Sequence, residues 1–243
     1  MSNSDIKLSF NIDAWLAHST GLSLSHEWET WANSLQWPNE GKCDSSAIPA
    51  MMRRRMSTLS KLAVQTTIEL LNQHRVDYLV FASRHGELQR SVALVNDILR
   101  GEDASPMAFS QSVHNTAAGL ATIATKKAIP LTSIAAAENT FQSALLEAWL
   151  YLDSYPQSKV LVIDFDEPLP EDYQKFEQQD YQGYGLGLLL SRGEQFTLTQ
   201  QASHEFDPAG LPQGLAFLRH YLLNQSQFQI HTPQHTWTWQ KQV

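Results

Sequence analysis

Two kinds of hydrophobic pattern alternate along the chain. Continuous apolar runs at 76–83, 159–167 and 183–193 are typical of strands that are buried on both faces of a sheet. Between them, apolar residues recur at helical spacing from about Ser57 to His74 and from Glu87 to Leu99. Buried strands that alternate with helices predict a layered α/β fold, in which we expect a mixed five-stranded sheet with helices on both sides.

The other hydrophobic segments refine this prediction. The run 183–193 is expected to form a hairpin with residues 195–202, and the alternating residues 235–240 are expected to form a further strand. Glycines 183, 185 and 187 have strand spacing, which indicates close backbone approach on one face and not a phosphate-binding turn. On the helix 87–99 we expect the apolar stripe to face the core; it consists of Leu88, Val92, Val95 and Leu99.

Residues 131–149, LTSIAAAENTFQSALLEAW, have the pattern of a strand, a sharp turn and a helix. An apolar run from Leu131 to Ala137 breaks at Glu138 and Asn139, and apolar residues then follow at helical spacing. Many enzymes place a nucleophile at such a helix N-terminus, because its unpaired N–H groups and its dipole favour negative charge. This turn, which we call the elbow (136–140), contains no cysteine and has no base next to its hydroxyl group.

Composition and charge limit the functions that need consideration. The chain has 243 residues, 42% of them hydrophobic and 17% charged, which is typical of one globular domain spanning 1–243. The formal net charge of −8 gives no electrostatic support to nucleic-acid binding, and the basic cluster Arg53–Arg55 is too short to change that. Cys43 is the single cysteine, so the sequence excludes an intrachain disulfide and argues against a thiolate metal site.

We expect neither a cofactor nor a bound metal. His231 and His235 flank a proline and lack a carboxylate or cysteine at a spacing that suits a metal site. The N-terminal residues lack the basic and apolar regions of a signal peptide, and no apolar run approaches the roughly 20 residues that span a bilayer. These features predict a cytoplasmic protein that does not insert into a membrane.

Six segments, taken in order, resemble the N-terminal half of ketosynthases of the thiolase superfamily. The resemblance covers about residues 45–195, between an N-terminal segment and a short C-terminal extension. The segments are MRRRMSTLSKLAVQTTIELL, VDYLVFASRHGELQRSVALVNDIL, SPMAFSQSVHNTAAGLATIA, LTSIAAAENTFQSALLEAW, KVLVIDFDEPLP and GYGLGLLLSRG. More narrowly, FSQSVHNTAAG followed by an elbow without cysteine resembles the short ketoacyl synthase-like proteins of aryl polyene and related type II polyketide clusters. Those proteins are regarded as chain-length-factor-like partners of an active ketosynthase.

The resemblance implies a thiolase-like half-fold that lacks the catalytic residues of ketosynthases. Ketosynthases carry a Thr-Ala-Cys elbow, and the alignment puts Glu138, or Ala137 after a shift of one residue, at the cysteine position. Claisen condensation needs a thiolate to carry the acyl chain and an oxyanion hole to stabilise the intermediate. The two histidines of the second ketosynthase half have no counterpart in the about 50 residues after GYGLGLLLSRG. The resemblance therefore implies an inactive subunit of a heterodimer with an active ketosynthase, served by an acyl carrier protein, in fatty acid or polyketide biosynthesis.

The resemblance also suggests residues that line the acyl tunnel or the subunit interface. Phe109 and Phe141 are core or interface anchors whose volume could limit the reach of a growing acyl chain. Glu138 is either a plug at the interface or a structural charge at a helix N-terminus, where a carboxylate contributes about 0.3–1 kcal/mol. The complete set of expected tunnel or interface residues is Phe109, His114, Asn115, Glu138, Asn139 and Phe141.

Other interpretations stay open. A stand-alone decarboxylase or hydrolase of malonyl or acyl thioesters would use Glu138 and His114, and a homodimeric acyl-binding scaffold would need no ketosynthase. His114 and Asn115 could simply hydrogen-bond a loop to the start of the following helix. The acidic strand end 163–167, IDFDE, resembles the nucleophile strand of haloacid-dehalogenase phosphatases, but the residues after it differ, and solvated acidic residues are the commoner explanation.

Two expectations concern surfaces. A half-fold without its second half should expose a large apolar face, and such a face usually marks a partner site. The tryptophans Trp28, Trp31 and Trp37 could cover an exposed sheet edge. The basic cluster Arg53–Arg55 is either a solvated helix start or a docking point for an acidic acyl carrier protein.

Overall fold

The computed structural model describes residues 6–203 and 205–242, so residues 1–5, on which the signal-peptide expectation partly rests, lie outside it. The strands are β1 (Lys7–Ser19), β2 (Tyr78–Ala82), β3 (Leu131–Ile134), β4 (Lys159–Asp166), β5 (Tyr184–Ala202), β6 (Gln227–His231) and β7 (His235–Lys241). The helices are α1 (Ser25–Ser34), α2 (Ala50–Arg53), α3 (Thr58–Gln73), α4 (Leu88–Leu99), α5 (Pro106–Ser110), α6 (Thr116–Thr125), α7 (Thr140–Ser154) and α8 (Gln213–Leu222). Short 3-10 turns lie at Ala137–Asn139 and Glu171–Phe176.

One mixed sheet organises the fold, and it has seven strands where five were expected. Its order is β3-β2-β4-β5-β7-β6, with β1 paired to the opposite edge of β5. β2 is parallel to both β3 and β4, whereas β5 is antiparallel to its three neighbours. The predicted sheet was too small because two strands were missed: β1, which pairs with β5, and β6, which pairs with the predicted strand β7.

The predicted hairpin between 183–193 and 195–202 is wrong, because both runs belong to the single strand β5. The pairing with β1 jumps from Phe10 opposite Phe196 to Asn11 opposite Ser191, so residues 192–195 bulge out of the ladder. The bulge is held by Asn11, whose Oδ1 accepts a hydrogen bond from the Gln195 N–H at 3.1 Å. The polar stretch that reads as a turn in the sequence is therefore a β-bulge.

Helices cover both faces of the sheet. On one face, α3 and α6 pack over the strands, and α3 approaches the first half of β5 closely. A Cβ atom at Gly187 would lie 2.4 Å from Leu70 Cδ1, and one at Gly185 would lie 2.8 Å from the Leu62 carbonyl oxygen. The strand-spaced glycines therefore permit close packing of a helix, as the sequence predicts.

The opposite face is covered by α7, α8 and α1, and aromatic side chains of β6 and β7 belong to the same core. Trp239 of β7 is fully buried and lies 4.6 Å from the ring of Phe217 on α8. Trp28 and Trp31 of α1 are also buried, and the Trp28 Nε1–H donates to the Ala17 carbonyl oxygen at 2.8 Å. The expected large apolar face is therefore closed here, because aromatic residues of the C-terminal segment and of α1 pack against it.

The orientation predicted for α4 is wrong. Only Leu94 of this helix is fully buried, whereas 53% of Val95 and 78% of Leu99 are exposed. The apolar stripe of Leu88, Val92, Val95 and Leu99 faces a groove beside the second 3-10 turn and not the core. Within the described residues, none of the helices is both long and apolar enough to cross a bilayer.

Candidate functional site

The elbow connects β3 to α7 through a strained turn. Ala137 lies at the corner with φ of +48°, a left-handed conformation that costs a non-glycine residue about 1–2 kcal/mol. The Thr140 hydroxyl holds the turn, because its Oγ1 accepts from the Ala136 N–H at 2.9 Å and donates to the Ala137 carbonyl oxygen at 2.7 Å. Ala137 and Glu138, the two residues that the resemblance offers for the cysteine position, both line the small cavity at this turn.

Glu138 forms an ion pair across the elbow. Its Oε1 lies 3.8 Å from Arg84 Nη2, and 39% of the Glu138 side chain is exposed against 19% of the Arg84 side chain. Arg84 directly follows Ser83 at the end of β2, and its guanidinium also donates to Gln179 Oε1. The elbow therefore presents a paired carboxylate, which cannot form the thioester that a cysteine thiolate forms.

Two buried carboxyl groups lie beneath the elbow at the end of β4. Asp166 accepts hydrogen bonds from the Ser83 hydroxyl at 2.8 Å and from the Arg84 backbone N–H at 3.0 Å. Asp164 accepts a hydrogen bond from the Tyr184 hydroxyl at 2.7 Å. Only 2% of Asp164 and 3% of Asp166 are exposed, so the expectation of solvated acidic residues is wrong.

Burial and mutual repulsion change the ionisation of this acidic pair. Burial, and then the charge of Asp166, raise the pKa of Asp164 to about 8. Burial also raises the pKa of Asp166, although the hydrogen bonds from Arg84 and Ser83 oppose that rise. The neighbouring Glu167 has its pKa raised to about 7, first by burial and then by the charges of Glu87 and Asp166. At neutral pH, Asp164 is therefore mostly protonated.

The N-terminus of α8 closes the site from the other side. A Cβ atom at Gly214 would lie only 2.0 Å from Asp164 Oδ2, so a glycine is required for this close approach. Gln213 Oε1 accepts a hydrogen bond from the Gln142 N–H of α7 at 3.5 Å. The N-termini of α7 and α8 thus converge above Asp164 and Asp166, where the helix dipoles favour negative charge.

A cavity of about 150 Å³ opens over the elbow between Arg84, Glu138, Gln213 and the loop before α8. A volume of this order accommodates a molecule the size of benzene. It is too small for a long acyl chain. Any long chain handled by this protein must therefore lie largely outside the cavity.

His114 and Asn115 join a loop to the start of α6. The His114 Nε2 lies 2.8 Å from the Ser83 carbonyl oxygen, and the ring packs against Gly86. Asn115 is the N-cap of α6, and its side chain makes no capping hydrogen bond. Among the described residues, Glu138 pairs with Arg84 and has no hydrogen bond to His114.

The two phenylalanines occupy opposite environments. Phe141 on α7 is 2% exposed and stacks at 6.5 Å on Trp239, although one side of it reaches the small cavity under the elbow. Phe109 on α5 is 64% exposed. Asn139 is the N-cap of α7, and its Oδ1 is buried without a hydrogen-bond partner. Of the two aromatic rings, only Phe109 is free to enter a neighbouring protein.

The outer edge of β3 is open among the described residues, since this strand pairs only with β2. Exposed apolar side chains lie on β3 itself, on α5 and α6, which precede it in the chain, and on the segment between those two helices. We call this set the β3 edge surface; it comprises Met107, Phe109, Val113, Ile123 and Leu131. An open strand edge beside apolar side chains can pair with a strand of another chain.

Sequence reasoning missed Arg84, Asp164, Asp166 and Gly214 as parts of the site. A usable signal existed, because Arg84 follows β2 and the aspartates end β4, and the carboxyl ends of parallel neighbouring strands meet at one sheet edge. The contribution of Gly214 could not be found in this way, since nothing in the sequence places α8 next to β4.

Comparison with known proteins gives the family and the fold that the sequence resemblance implies. The family model for the beta-ketoacyl synthase N-terminal domain matches residues 28–240. A search of curated proteins gave no significant match. One solved structure, described as a ketosynthase (ApeO) in complex with its chain length factor (ApeC) from Xenorhabdus doucetiae, contains a chain with 33% identity and a TM-score of 0.88. That match covers 96% of this chain and 100% of the other.

More distant structures share the fold alone. The ishigamide ketosynthase/chain length factor has 15% identity and a TM-score of 0.61, over 81% of this chain and 67% of the other. A beta-ketoacyl synthase from Burkholderia phymatum has 11% identity and a TM-score of 0.58, over 82% of this chain and 65% of the other. The predicted thiolase-like α/β half-fold is confirmed, and the chain belongs to the beta-ketoacyl synthase N-terminal domain family.

Proposed function

We propose that this protein is a chain length factor, a subunit that pairs with an active ketosynthase and does not itself condense acyl chains. The observation that carries the proposal is the elbow, whose strained backbone is present while its side chain is a carboxylate paired with Arg84. Condensation needs a thiolate at this position. The ketosynthase subunit would supply that thiolate.

Two further observations support a ketosynthase partner. The relative with 33% identity comes from a complex of a ketosynthase with its chain length factor, and the mutual coverage of 96% and 100% means that the two chains are nearly equal in length. The β3 edge surface offers unpaired backbone groups beside exposed apolar side chains, which is suitable for extending the sheet into a second subunit.

The proposed role in catalysis is to shape the space in which the acyl or polyene chain grows. Phe109 is the strongest determinant, because its exposed ring on the β3 edge surface would enter the partner's tunnel. His114 and Asn115, near the start of α6, would hold the segment that follows α5, the helix that carries Phe109. Glu138, Asn139 and Phe141 would form the wall behind it. Chain length is then set by side-chain volume, which is an effect of packing.

The pathway context is part of the same proposal. The relative from Xenorhabdus doucetiae favours aryl polyene biosynthesis, or a related fatty acid or polyketide pathway, in which an acyl carrier protein delivers the substrate. The exposed residues Arg54 and Arg55, next to α2, would be a basic contact for such an acidic carrier protein.

Native mass spectrometry of the chain, alone and co-expressed with the ketosynthase encoded nearest to it, tests the proposal. We expect a one-to-one complex that makes polyene of defined length, and longer products with Phe109→Ala. The matched control is Tyr155→Ala, because Tyr155 is 57% exposed but lies outside the β3 edge surface. A chain that ignores the ketosynthase and cleaves malonyl or acyl thioesters alone, with loss of activity in Glu138→Ala, would replace the proposal by the stand-alone enzyme.

A further inference from the structure

A second apolar surface lies on α4, apart from β3 and the elbow. The stripe of Leu88, Val92, Val95 and Leu99 forms one wall of a groove of about 450 Å³. The opposite wall is the 3-10 turn 171–176, from which Tyr173 and Phe176 project with 43% and 63% of their surfaces exposed. Exposed apolar patches that are rimmed by polar residues mark interaction sites.

The shape of this groove fits a helix. The stripe follows the spacing i, i+4, i+7, i+11, so it runs along three turns of α4 over about 16 Å. A helix with apolar anchors at equivalent spacing can place them into such a groove. Lys175 Nζ lies 5.0 Å from the centre of the Phe176 ring, so a basic group is also part of this wall of the groove.

The charges around the groove favour a partner of one charge over the other. Asp172 lies in the groove wall, where its Oδ2 accepts from Asn96 Nδ2 at 3.3 Å. Glu102, Asp103 and Glu171 also lie on the segments that form or directly follow the two walls, against Arg100 and Lys175 as the basic residues there. The charged residues Arg90 and Asp97 of α4 lie on the face of the helix opposite the stripe. The carbonyl end of α4 adds partial negative charge. The rim therefore attracts a basic partner and repels an acidic one such as a carrier protein.

The groove is continuous with the segment that carries Phe109. Arg90 Nη1 donates to Gln111 Oε1 at 2.7 Å, and the Ser91 hydroxyl donates to the Ser112 carbonyl oxygen at 3.1 Å. These bonds tie α4 to the chain that follows α5. Because Ser91 also lines the groove, the groove adjoins the segment that carries Phe109.

We propose that the α4 groove binds an amphipathic helix of the ketosynthase subunit, with apolar anchors in the groove and flanking lysines or arginines at the acidic rim. The inference rests on the proposed function and adds a second contact to the heterodimer. It separates the roles of two surfaces: the β3 edge surface continues the sheet and reaches the tunnel, while the groove fixes the partner by side-chain packing.

Cross-linking in the intact complex gives the direct test. A photoreactive phenylalanine analogue at Val95 is expected to link to a ketosynthase peptide of helical periodicity with basic flanks, identified by mass spectrometry. The same analogue at Leu150, which is 49% exposed on α7, is the matched control and should give no such link. A link from Val95 to a carrier protein or to a second copy of this chain, or no link while the complex is intact, overturns the groove proposal and leaves the proposed function standing. Failure of the wild-type chain to form any complex overturns both.

Affinity measurements add an independent readout. Leu99→Ser is expected to weaken the complex about tenfold through faster dissociation, whereas Leu150→Ser should change the affinity less than twofold. The double variant Glu102→Lys/Asp103→Lys should slow association several-fold at low salt and much less at high salt. Equal effects of Leu99→Ser and Leu150→Ser, or an association rate unaffected by the charge reversal, would contradict the proposal.

Discussion

The two sides of the molecule differ in how much of their apolar surface is exposed. On the side of the elbow, α7, α8, β7 and α1 share one core with fully buried aromatic rings such as Trp28, Phe217 and Trp239. Around β3 and α4, apolar side chains as large as Phe109 and Leu99 stay exposed. On the covered side the apolar side chains already pack against other parts of this chain, so mutations there should lower the stability of the fold. The open side contributes little to folding, so mutations there should affect assembly.

The largest loss of stability is expected from a substitution of Trp239, on the covered side of the molecule. Trp239→Ala removes a ring that contacts Phe10, Phe196, Phe217 and Phe228, and we expect a loss of about 3–5 kcal/mol in the free energy of unfolding. Phe109→Ala, as the matched control on the open side, should cost less than about 0.5 kcal/mol. Urea unfolding of both variants measures the difference. Equal losses would mean that the two sides do not differ in this way.

A second prediction uses the buried acid beneath the elbow. The pKa of Asp164 is raised to about 8 in the folded protein, so folding takes up a proton between about pH 4 and pH 8. Through this window the group makes stability fall as pH rises, with a slope approaching about 1.4 kcal/mol per pH unit. Asp164→Asn keeps an acceptor for the Tyr184 hydroxyl and cannot lose a proton, so its stability relative to the wild type should increase with pH.

Urea unfolding of the wild type and Asp164→Asn at pH 5, 6, 7 and 8 measures this slope. Asp153→Asn is the matched control, because Asp153 is exposed and lies near the C-terminal end of α7. Its stability should change with pH in the same way as that of the wild type. A constant difference between Asp164→Asn and the wild type from pH 5 to pH 8 would show that Asp164 does not titrate in this window.

A third, smaller effect tests the strain at the elbow corner. Ala137→Gly removes the left-handed strain of about 1–2 kcal/mol but adds about 0.5–1 kcal/mol of backbone entropy cost, so we expect a net gain of about 0.5 kcal/mol. Ala148→Gly, in the buried middle of α7, lacks that strain and should lose about 1 kcal/mol or more. Thermal unfolding of both variants compares them, and a loss in Ala137→Gly similar to that in Ala148→Gly would contradict the strained turn.

The smallest effect is expected at Glu138 itself. Glu138→Gln breaks a partly exposed ion pair with Arg84, and such pairs contribute about 0–1 kcal/mol, so unfolding should change by less than about 0.5 kcal/mol. The ketosynthase complex should keep its condensing activity. A large loss of activity with unchanged stability would instead assign a chemical role to the carboxylate.

The sequence predicts those parts of the fold in which a hydrophobic pattern is compatible with a single arrangement. The runs that became β2, β4 and the first half of β5 are apolar on both faces, and only a central strand between two helical layers buries them. The helical spacing of α3 and α7 likewise placed both helices within a few residues. Close packing at Gly185 and Gly187 also followed directly from their spacing.

The sequence does not predict features that depend on what lies opposite a segment. The stripe on α4 has core-like spacing, but periodicity cannot tell whether a stripe meets the protein core or another molecule. The strand β1 was missed although Leu8, Phe10 and Ile12 alternate with polar residues, which is the pattern of a half-buried strand. At the elbow, spacing alone could not determine that Ala137 takes the left-handed corner or that Arg84, about 50 residues earlier, pairs with Glu138.

The strand β5 has a consequence for aggregation. Its first half pairs with β4 and its second half, residues 196–202, pairs with β7, so the hairpin of β6 and β7 protects backbone groups that would otherwise form an open edge. A strand of that length with Phe196 and Leu198 exposed would be a template for intermolecular pairing. The hairpin therefore acts as a shield against self-association at this half of β5. The open edges among the described strands then belong to β1, β3 and β6, of which β3 is the shortest.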